Sequence, residues 1–99
     1  MADELDEAEL DRIENRAAAA LPIPWESSVE GRDHDSGDSF ILTGARGGDG
    51  PDMYVSLSYW QGPGNVPASA ADLDFIACAR QDVPRLVAEV RRLRRGHLG

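Results

Sequence analysis

Acidic side chains cluster in a short polar segment of the chain, and carboxylates are the ligands that hard cations such as Ca²⁺ prefer. Asp33, Asp35 and Asp38 surround His34 in this segment. The spacing departs from that of an EF-hand loop, because the twelfth position counted from Asp33 is Gly44, where that loop carries a bidentate glutamate. A solvated turn is therefore the favoured interpretation, since these residue types populate turns readily.

A second acidic segment is rich in glycine and matches a calcium-binding nonapeptide. Residues 47–55 read GGDGPDMYV, which fits the pattern G-G-x-G-x-D-x-U-x with tyrosine as the bulky residue. The pattern occurs once, whereas the proteins that use it stack many copies. A hairpin loop is the favoured interpretation. The alternative is a cation-binding domain that uses the acidic loops 33–38 and 47–52, the second with Asp49 and Asp52 as ligands.

Residues suited to nucleophilic or acid–base catalysis are few. His34 and His97 are the two histidines, and Cys78 is the single cysteine. A histidine base needs a nucleophile within hydrogen-bond reach and a group that orients its ring. Ser36 and Ser39 lie near His34 in sequence, but in a segment where serine commonly forms turns. Cys78 falls among small and apolar residues of a predicted helix, which favours a buried structural thiol. The sequence predicts a protein that is not an enzyme and has no cofactor.

Aromatic residues give the best candidate for recognition. Residues 53–60 alternate, and this predicts a strand with Met53, Val55, Leu57 and Tyr59 facing the core. The opposite face carries two serines between aromatic ends. That face is a candidate protein-binding surface, because aromatic side chains dominate binding energy at interfaces. The alternative is an ordinary surface, since exposed aromatic residues at the ends of a strand are common in small domains. The members of this face are Tyr54, Ser56, Ser58 and Trp60.

The elements around these residues predict an α+β fold. Asp3 is a suitable N-cap, and Leu10, Ile13 and Ala17 recur at helical spacing. Asp82 is a suitable cap for a final helix in which Pro84 occupies the first turn. We expect a three-stranded antiparallel sheet with all helices packed on one face. The expected helices are about 3–20, 70–80 and 83–95, and the expected strands about 25–30, 39–44 and 53–60.

Length and composition limit the class of protein. Ninety-nine residues fit one domain, residues 1–99, and a hydrophobic fraction of 41% is sufficient for a core. No apolar run approaches the roughly 18 residues that span a bilayer, and the acidic N-terminus is unlike a signal peptide. A single cysteine suits a reducing compartment. We therefore expect a cytoplasmic protein with no membrane partner.

The charge is distributed unevenly between the two halves of the chain. Residues 1–52 contain fourteen acids and four arginines, whereas residues 53–99 contain four acids and six arginines. The acidic half disfavours binding to nucleic acid. Seven acids among the first fourteen residues suggest the alternative of an acidic nucleic-acid mimic. The C-terminal arginines from Arg91 to Arg95 are expected to neutralise the protein's own acidic half.

The C-terminal third resembles a known group of sequences. Residues 72–93 read DLDFIACARQDVPRLVAEVRRL. This run resembles the end of many uncharacterised small proteins of actinobacteria and their phages, which share a pattern like F-I-A-x-A-R-x-D-V-P-x-L-x-x-E-V. The resemblance implies a packed helix followed by a proline-started helix and brings no activity with it. Many of these proteins extend the last helix, so the resemblance also leaves open a homo-oligomer built on that helix.

These observations favour a non-enzymatic protein-binding or accessory module, of prophage origin. The sequence predicts a core of ordinary composition, and its few residues suited to catalysis do not form a recognisable set. The protein partner itself is not indicated by any motif.

Overall fold

The computed structural model describes residues 4–44 and 50–98. Helices and strands are mixed, as expected for an α+β protein, but the predicted arrangement of three strands and three helices is wrong. The described part has two helices and two small sheets. In chain order the elements are α1 (Glu7–Ala19), β1 (Glu26–Ser28), β2 (Phe40–Leu42), β3 (Asp52–Met53), β4 (Ser56–Ser58), β5 (Asn65–Pro67) and α2 (Ala70–Leu98).

Helix α1 begins later than the sequence predicted. Asp6, rather than Asp3, is the N-cap: its side chain accepts a hydrogen bond from the Glu9 backbone N–H at 2.8 Å. The Glu9 side chain accepts one from the Asp6 N–H, which completes a capping box. The helix ends at Ala19, before Pro22, because proline disfavours a helical conformation in the residue before it.

The expected strand over residues 53–60 is split between two sheets. Strands β1, β2 and β3 form an antiparallel sheet in which Ile41 pairs with both Ser27 and Met53. Strand β4 instead pairs with β5, with Leu57 opposite Val66. The split falls at residues 54–55, where Val55 packs on the core and its carbonyl accepts a hydrogen bond from Ala68 N–H. Residues 61–67, which follow the expected strand, therefore contain the strand β5.

The two expected C-terminal helices are one helix of 29 residues with Pro84 inside it. Proline removes one hydrogen bond of the helix and usually breaks it, at a cost of about 3 kcal/mol. The helix continues here because its two halves are both anchored. Leu73 and Ala77 are buried on one side of the proline, and Val87 is buried on the other. Gly96, one residue past the expected end of the last helix, also lies within α2.

The core lies between α2 and the three-stranded sheet. Its buried members come from β2, the segments flanking the strands and the first half of α2, and they are Val29, Ile41, Ala68, Leu73 and Ala77. Helix α2 packs on β1 and β2, whereas α1 packs on α2 and on no described strand. The expectation that all helices share one face of the sheet is therefore wrong.

Ion pairs join the two helices. Arg91 contacts Glu7, Asp11 and Glu14, which follow one another along a single stripe of α1. Arg94 pairs with Glu7 at 3.0 Å. The expected neutralisation of the acidic half is confirmed for these two arginines. The Cα radius of gyration is 17.2 Å, compared with about 13 Å for a compact domain of this length. This elongation leaves much apolar surface outside the core.

No helix among residues 4–44 and 50–98 combines the length and the apolar character that a membrane span requires.

Candidate interaction surface

A β-hairpin formed by β4 and β5 projects from the body of the protein. Among the described elements, β4 and β5 contact only each other. The Tyr59 N–H donates to the Gly64 carbonyl at 3.0 Å and extends the pairing by one residue beyond the strands. Gly62 and Gly64 have φ of 105° and 81°, values that side chains rarely allow. The Gly-Pro-Gly sequence therefore closes the hairpin tightly and leaves its tip free.

The hairpin exposes large apolar and aromatic side chains. Trp60, at the tip, is 96% exposed, and Tyr59 is 48% exposed. Leu57 in β4 is also exposed, although the alternation predicted Leu57 and Tyr59 to face the core. That prediction is wrong because the hairpin leaves the sheet at residues 54–55. We call Leu57, Tyr59 and Trp60 the aromatic hairpin surface.

The four residues predicted for partner binding are all exposed. Tyr54, Ser56, Ser58 and Trp60 lie along the segment that enters the hairpin. Tyr54 also contacts Phe40, with ring centroids 5.5 Å apart. The break between the two sheets separates Tyr54 from the hairpin, so the single strand face that was expected does not form.

The chain around the hairpin carries no charge. No Asp, Glu, Lys or Arg occurs between Met53 and Ala71, in a protein in which 28% of residues are charged. The cores of protein interfaces show the same composition, since they are depleted of charged residues and enriched in aromatic ones. This uncharged run is visible in the sequence, and it marks the hairpin more clearly than the alternation of residues 53–60 does.

The described residues around His34 in the polar loop are not arranged as a catalytic triad. The Ser36 backbone N–H donates to His34 Nδ1 at 3.0 Å, and the Ser36 hydroxyl lies 2.8 Å from the same nitrogen. Glu30 Oε1 lies 4.0 Å from that nitrogen too. His34 Nε2 is buried and has no hydrogen-bond partner among the described residues. A triad needs the acid and the nucleophile on opposite ring nitrogens, and here both lie on one.

The acidic residues proposed as cation ligands are separated or already paired. The Asp33 carboxylate accepts hydrogen bonds from the Val29 N–H and from Arg32, and these lower its pKa in that order of effect. Asp35, Asp38 and Asp52 are exposed. Within the described ranges, no three His, Cys, Asp or Glu side chains come together in a group that could hold a metal ion. Asp49 and the other first residues of the nonapeptide match, 47–49, lie outside the described residues.

A polar cluster that the sequence did not reveal joins the first sheet to α2. Arg32 donates two hydrogen bonds to the Asp74 carboxylate, both at 2.9 Å, and the Ser27 hydroxyl donates a third. Arg32 first and Ser27 second lower the pKa of Asp74 to about 2. The partners are 42 and 47 residues apart in the chain, so no local pattern could predict them. All acceptors are occupied by the protein itself, which indicates a structural role.

A similar link joins Trp25 to α2. The Trp25 N–H donates to Gln81 Oε1 at 2.7 Å, and Gln81 Nε2 donates back to the Trp25 carbonyl at 3.1 Å. Cys78, expected to be a buried thiol, is exposed instead, because it lies on the side of α2 that turns away from the sheet. These features hold α2 in place, and they leave the aromatic hairpin surface as the strongest candidate for a functional site.

The chain matches no protein-family model, and comparisons with curated proteins and with solved structures give no match either. The family of the chain is therefore not assigned by similarity.

Proposed function

We propose that the protein is a non-enzymatic binding module that docks onto a protein partner through the aromatic hairpin surface. The single observation that carries this proposal is Trp60, which is 96% exposed at the tip of a hairpin that packs on no other described element. Burying a large apolar side chain gains about 1.5–3 kcal/mol. Because Trp60 stays exposed when the protein folds, this free energy is not gained in folding. It is gained when Trp60 is buried against a partner.

The chemistry of the hairpin supports a protein partner over other classes. Aromatic side chains without nearby cations suit a partially apolar pocket on another protein. The lack of Lys and Arg from Met53 to Ala71 argues against phosphate-bearing partners, which are bound chiefly through such residues. A cytoplasmic location and an accessory role in a prophage belong to this proposal as its biological setting.

The alternative of a nucleic-acid mimic has less support. A mimic presents regularly spaced negative charge to solvent, but Glu7, Asp11 and Glu14 of α1 are held by Arg91. Helix α1 therefore offers less free charge than its sequence suggests.

A quantitative pull-down from cells of the source organism tests the proposal. The immobilised bait is the full chain, compared with Trp60→Ala and with Ile23→Ala. Ile23 is the control because it is also exposed and apolar, and it lies outside the hairpin, between α1 and β1. We expect one or a few proteins to be recovered by the wild type and by Ile23→Ala, and to be lost with Trp60→Ala. Recovery of the same proteins by all three baits would contradict the proposal, and so would recovery of none.

A further inference from the structure

Helix α2 is apolar on two opposite sides. Phe75, Leu86 and Leu93 are 74%, 62% and 56% exposed. Their spacings of 11 and 7 residues are close to three and two whole turns, so the three side chains form one stripe. This stripe lies on the side of the helix opposite the buried Leu73, from which Phe75 is rotated by about 200°. We call it the outer stripe of α2.

No described element covers the outer stripe. Val87 is buried, but Leu86 and Leu93 are not. The two leucines are exposed because α1 packs on the opposite side of α2, where Arg91 and Arg94 meet its acids. The outer stripe is therefore free to contact another molecule.

Charged residues beside the outer stripe alternate in sign. Asp82, Arg85, Glu89 and Arg92 follow one another at intervals of three, four and three residues. Within the chain they form two i, i+3 pairs, Asp82 with Arg85 and Glu89 with Arg92. The order is minus, plus, minus, plus, and read backwards it is plus, minus, plus, minus. The pattern is thus complementary to itself when a second copy of the helix runs in the opposite direction.

The register of such a pair follows from the residue numbers. When two copies run antiparallel and cross beside residue 87, Arg85 lies level with Glu89 of the second copy, and Arg92 lies level with Asp82 of the second copy. Leu86 then lies within about 3 Å along the axis of its own counterpart. A parallel two-fold pair would instead place the two rows of charges on opposite sides of the interface, where they do not meet. The antiparallel arrangement therefore brings together Leu86 of both copies and the opposite charges.

We propose that the outer stripe of α2 binds a second copy of this chain in an antiparallel, two-fold symmetric dimer. Two-fold dimers are the commonest oligomers, and their interfaces must be self-complementary, as this charge pattern is. In this register the two copies share the stripe from residue 81 to Leu93, which is about 18 Å long and about 10 Å wide, and this is small for a protein interface. We therefore expect association in the micromolar range.

The main test exchanges the charges. Sedimentation equilibrium is measured at low ionic strength, because salt weakens contacts between exposed charges. Arg85→Glu/Arg92→Glu makes the row acidic, and Asp82→Arg/Glu89→Arg makes it basic. We expect the wild type to dimerise, and each variant alone to associate at least tenfold more weakly. The two variants mixed one to one should form a heterodimer.

Several outcomes would overturn the proposal. They are a wild type that stays monomeric at several hundred micromolar, variants that self-associate like the wild type, and variants that do not associate with each other when mixed. Circular dichroism checks that both variants remain folded. Trp60→Ala serves as the control for the hairpin and should leave self-association unchanged, so this proposal and the proposed function fail independently.

A crosslinking test fixes the direction of the two helices. Cys78 is exposed on the same side of α2, nine residues before the crossing point. In the antiparallel dimer the two native thiols are about 27 Å apart along the axis, whereas in a parallel dimer they lie at the same level. Position 96 lies level with Cys78 of the second copy only in the antiparallel register.

A bis-maleimide with a short spacer should therefore crosslink Gly96→Cys but not the wild type. The control Cys78→Ser/Gly96→Cys should not crosslink in the antiparallel dimer, since both copies then lack the opposing thiol. Crosslinking of the wild type would show a parallel pair and contradict the proposal.

Discussion

Replacement of one buried leucine of α2 should destabilise the protein far more than replacement of an exposed leucine on the same helix. Leu73 is 1% exposed and Leu93 is 56% exposed. Both substitutions to alanine remove the same atoms and have similar helix propensity. Only Leu73→Ala leaves a cavity between α2 and the sheet, so the difference in the free energy of unfolding measures what the core contributes at that point.

The expected loss for Leu73→Ala is about 3 kcal/mol, the lower part of the range for buried leucines. A domain of this size has a total stability of roughly 5–15 kcal/mol, and each kcal/mol shifts Tm by about 4–8 °C. The midpoint should therefore fall by about 15 °C. Leu93→Ala should change the free energy of unfolding by less than about 0.5 kcal/mol.

Urea denaturation followed by tryptophan fluorescence is a suitable assay. Trp25 packs against the core and reports unfolding, whereas Trp60 is exposed already in the native state. Low protein concentration keeps self-association from contributing. If Leu73→Ala does not fold, Leu73→Met should still fold with a loss below about 1.5 kcal/mol. Equal losses for Leu73→Ala and Leu93→Ala would refute the assignment of the core to this side of α2.

Three further predictions concern backbone, pH and salt. Gly50→Ala should lower stability by about 1–3 kcal/mol, because a Cβ would overlap the Thr43 carbonyl oxygen. Gly96→Ala should raise stability slightly, because position 96 lies in open space within α2 and alanine favours the helix. Thermal unfolding measures both effects. Because the folded pKa of Asp74 is about 2 and its ordinary value is 3.8, its contribution to stability is full above pH 4 and is lost as the pH falls toward 2. In Asp74→Asn the urea midpoint should therefore depend less on pH in that window. An unchanged pH dependence would show that the contact between Asp74 and Arg32 does not cause the loss of stability at low pH. Affinity for the partner should change less than twofold between 50 and 500 mM salt, since the hairpin is uncharged, and a steep dependence by calorimetry would point to a charged surface instead.

The arrangement of the strands illustrates what alternation can and cannot predict. Met53 to Trp60 alternate along their whole length, yet the chain changes sheets at residues 54–55. Alternation indicates extended backbone but does not identify the partner strand, and here Met53 pairs with Ile41 whereas Leu57 pairs with Val66. The exposed state of Leu57 follows from that pairing and not from its own position in the pattern.

The prediction of two separate C-terminal helices is wrong for a different reason. Asp82 and Pro84 form a good local start signal for a helix, but tertiary contacts on both sides of them keep α2 continuous. Leu73 is buried against the sheet and Val87 is buried on the half that follows the proline. Local propensity is a weak prior, and it is overridden when packing supplies more than the roughly 3 kcal/mol that an interior proline costs.

The candidate surface was predicted in part. The alternating pattern places Trp60 at the end of a strand face, and Trp60 is exposed in the structure. The same pattern predicts that Tyr59 and Leu57 face the core, and this is wrong because the sequence does not reveal that the hairpin leaves the body of the protein. The Arg32 contact with Asp74 was not predicted, because 42 residues separate the two side chains and only the folded chain brings them together.

The affinity of the recovered partner for Trp60→Ala, measured by isothermal titration calorimetry beside the wild type and Ile23→Ala, tests the role of the hairpin most directly. We predict that Trp60→Ala binds at least 30-fold more weakly, the effect of losing a hot-spot residue of about 2 kcal/mol. Its urea midpoint should match that of the wild type, because Trp60 is exposed before binding. Equal affinity of all three proteins would contradict the claim that this hairpin is the recognition element.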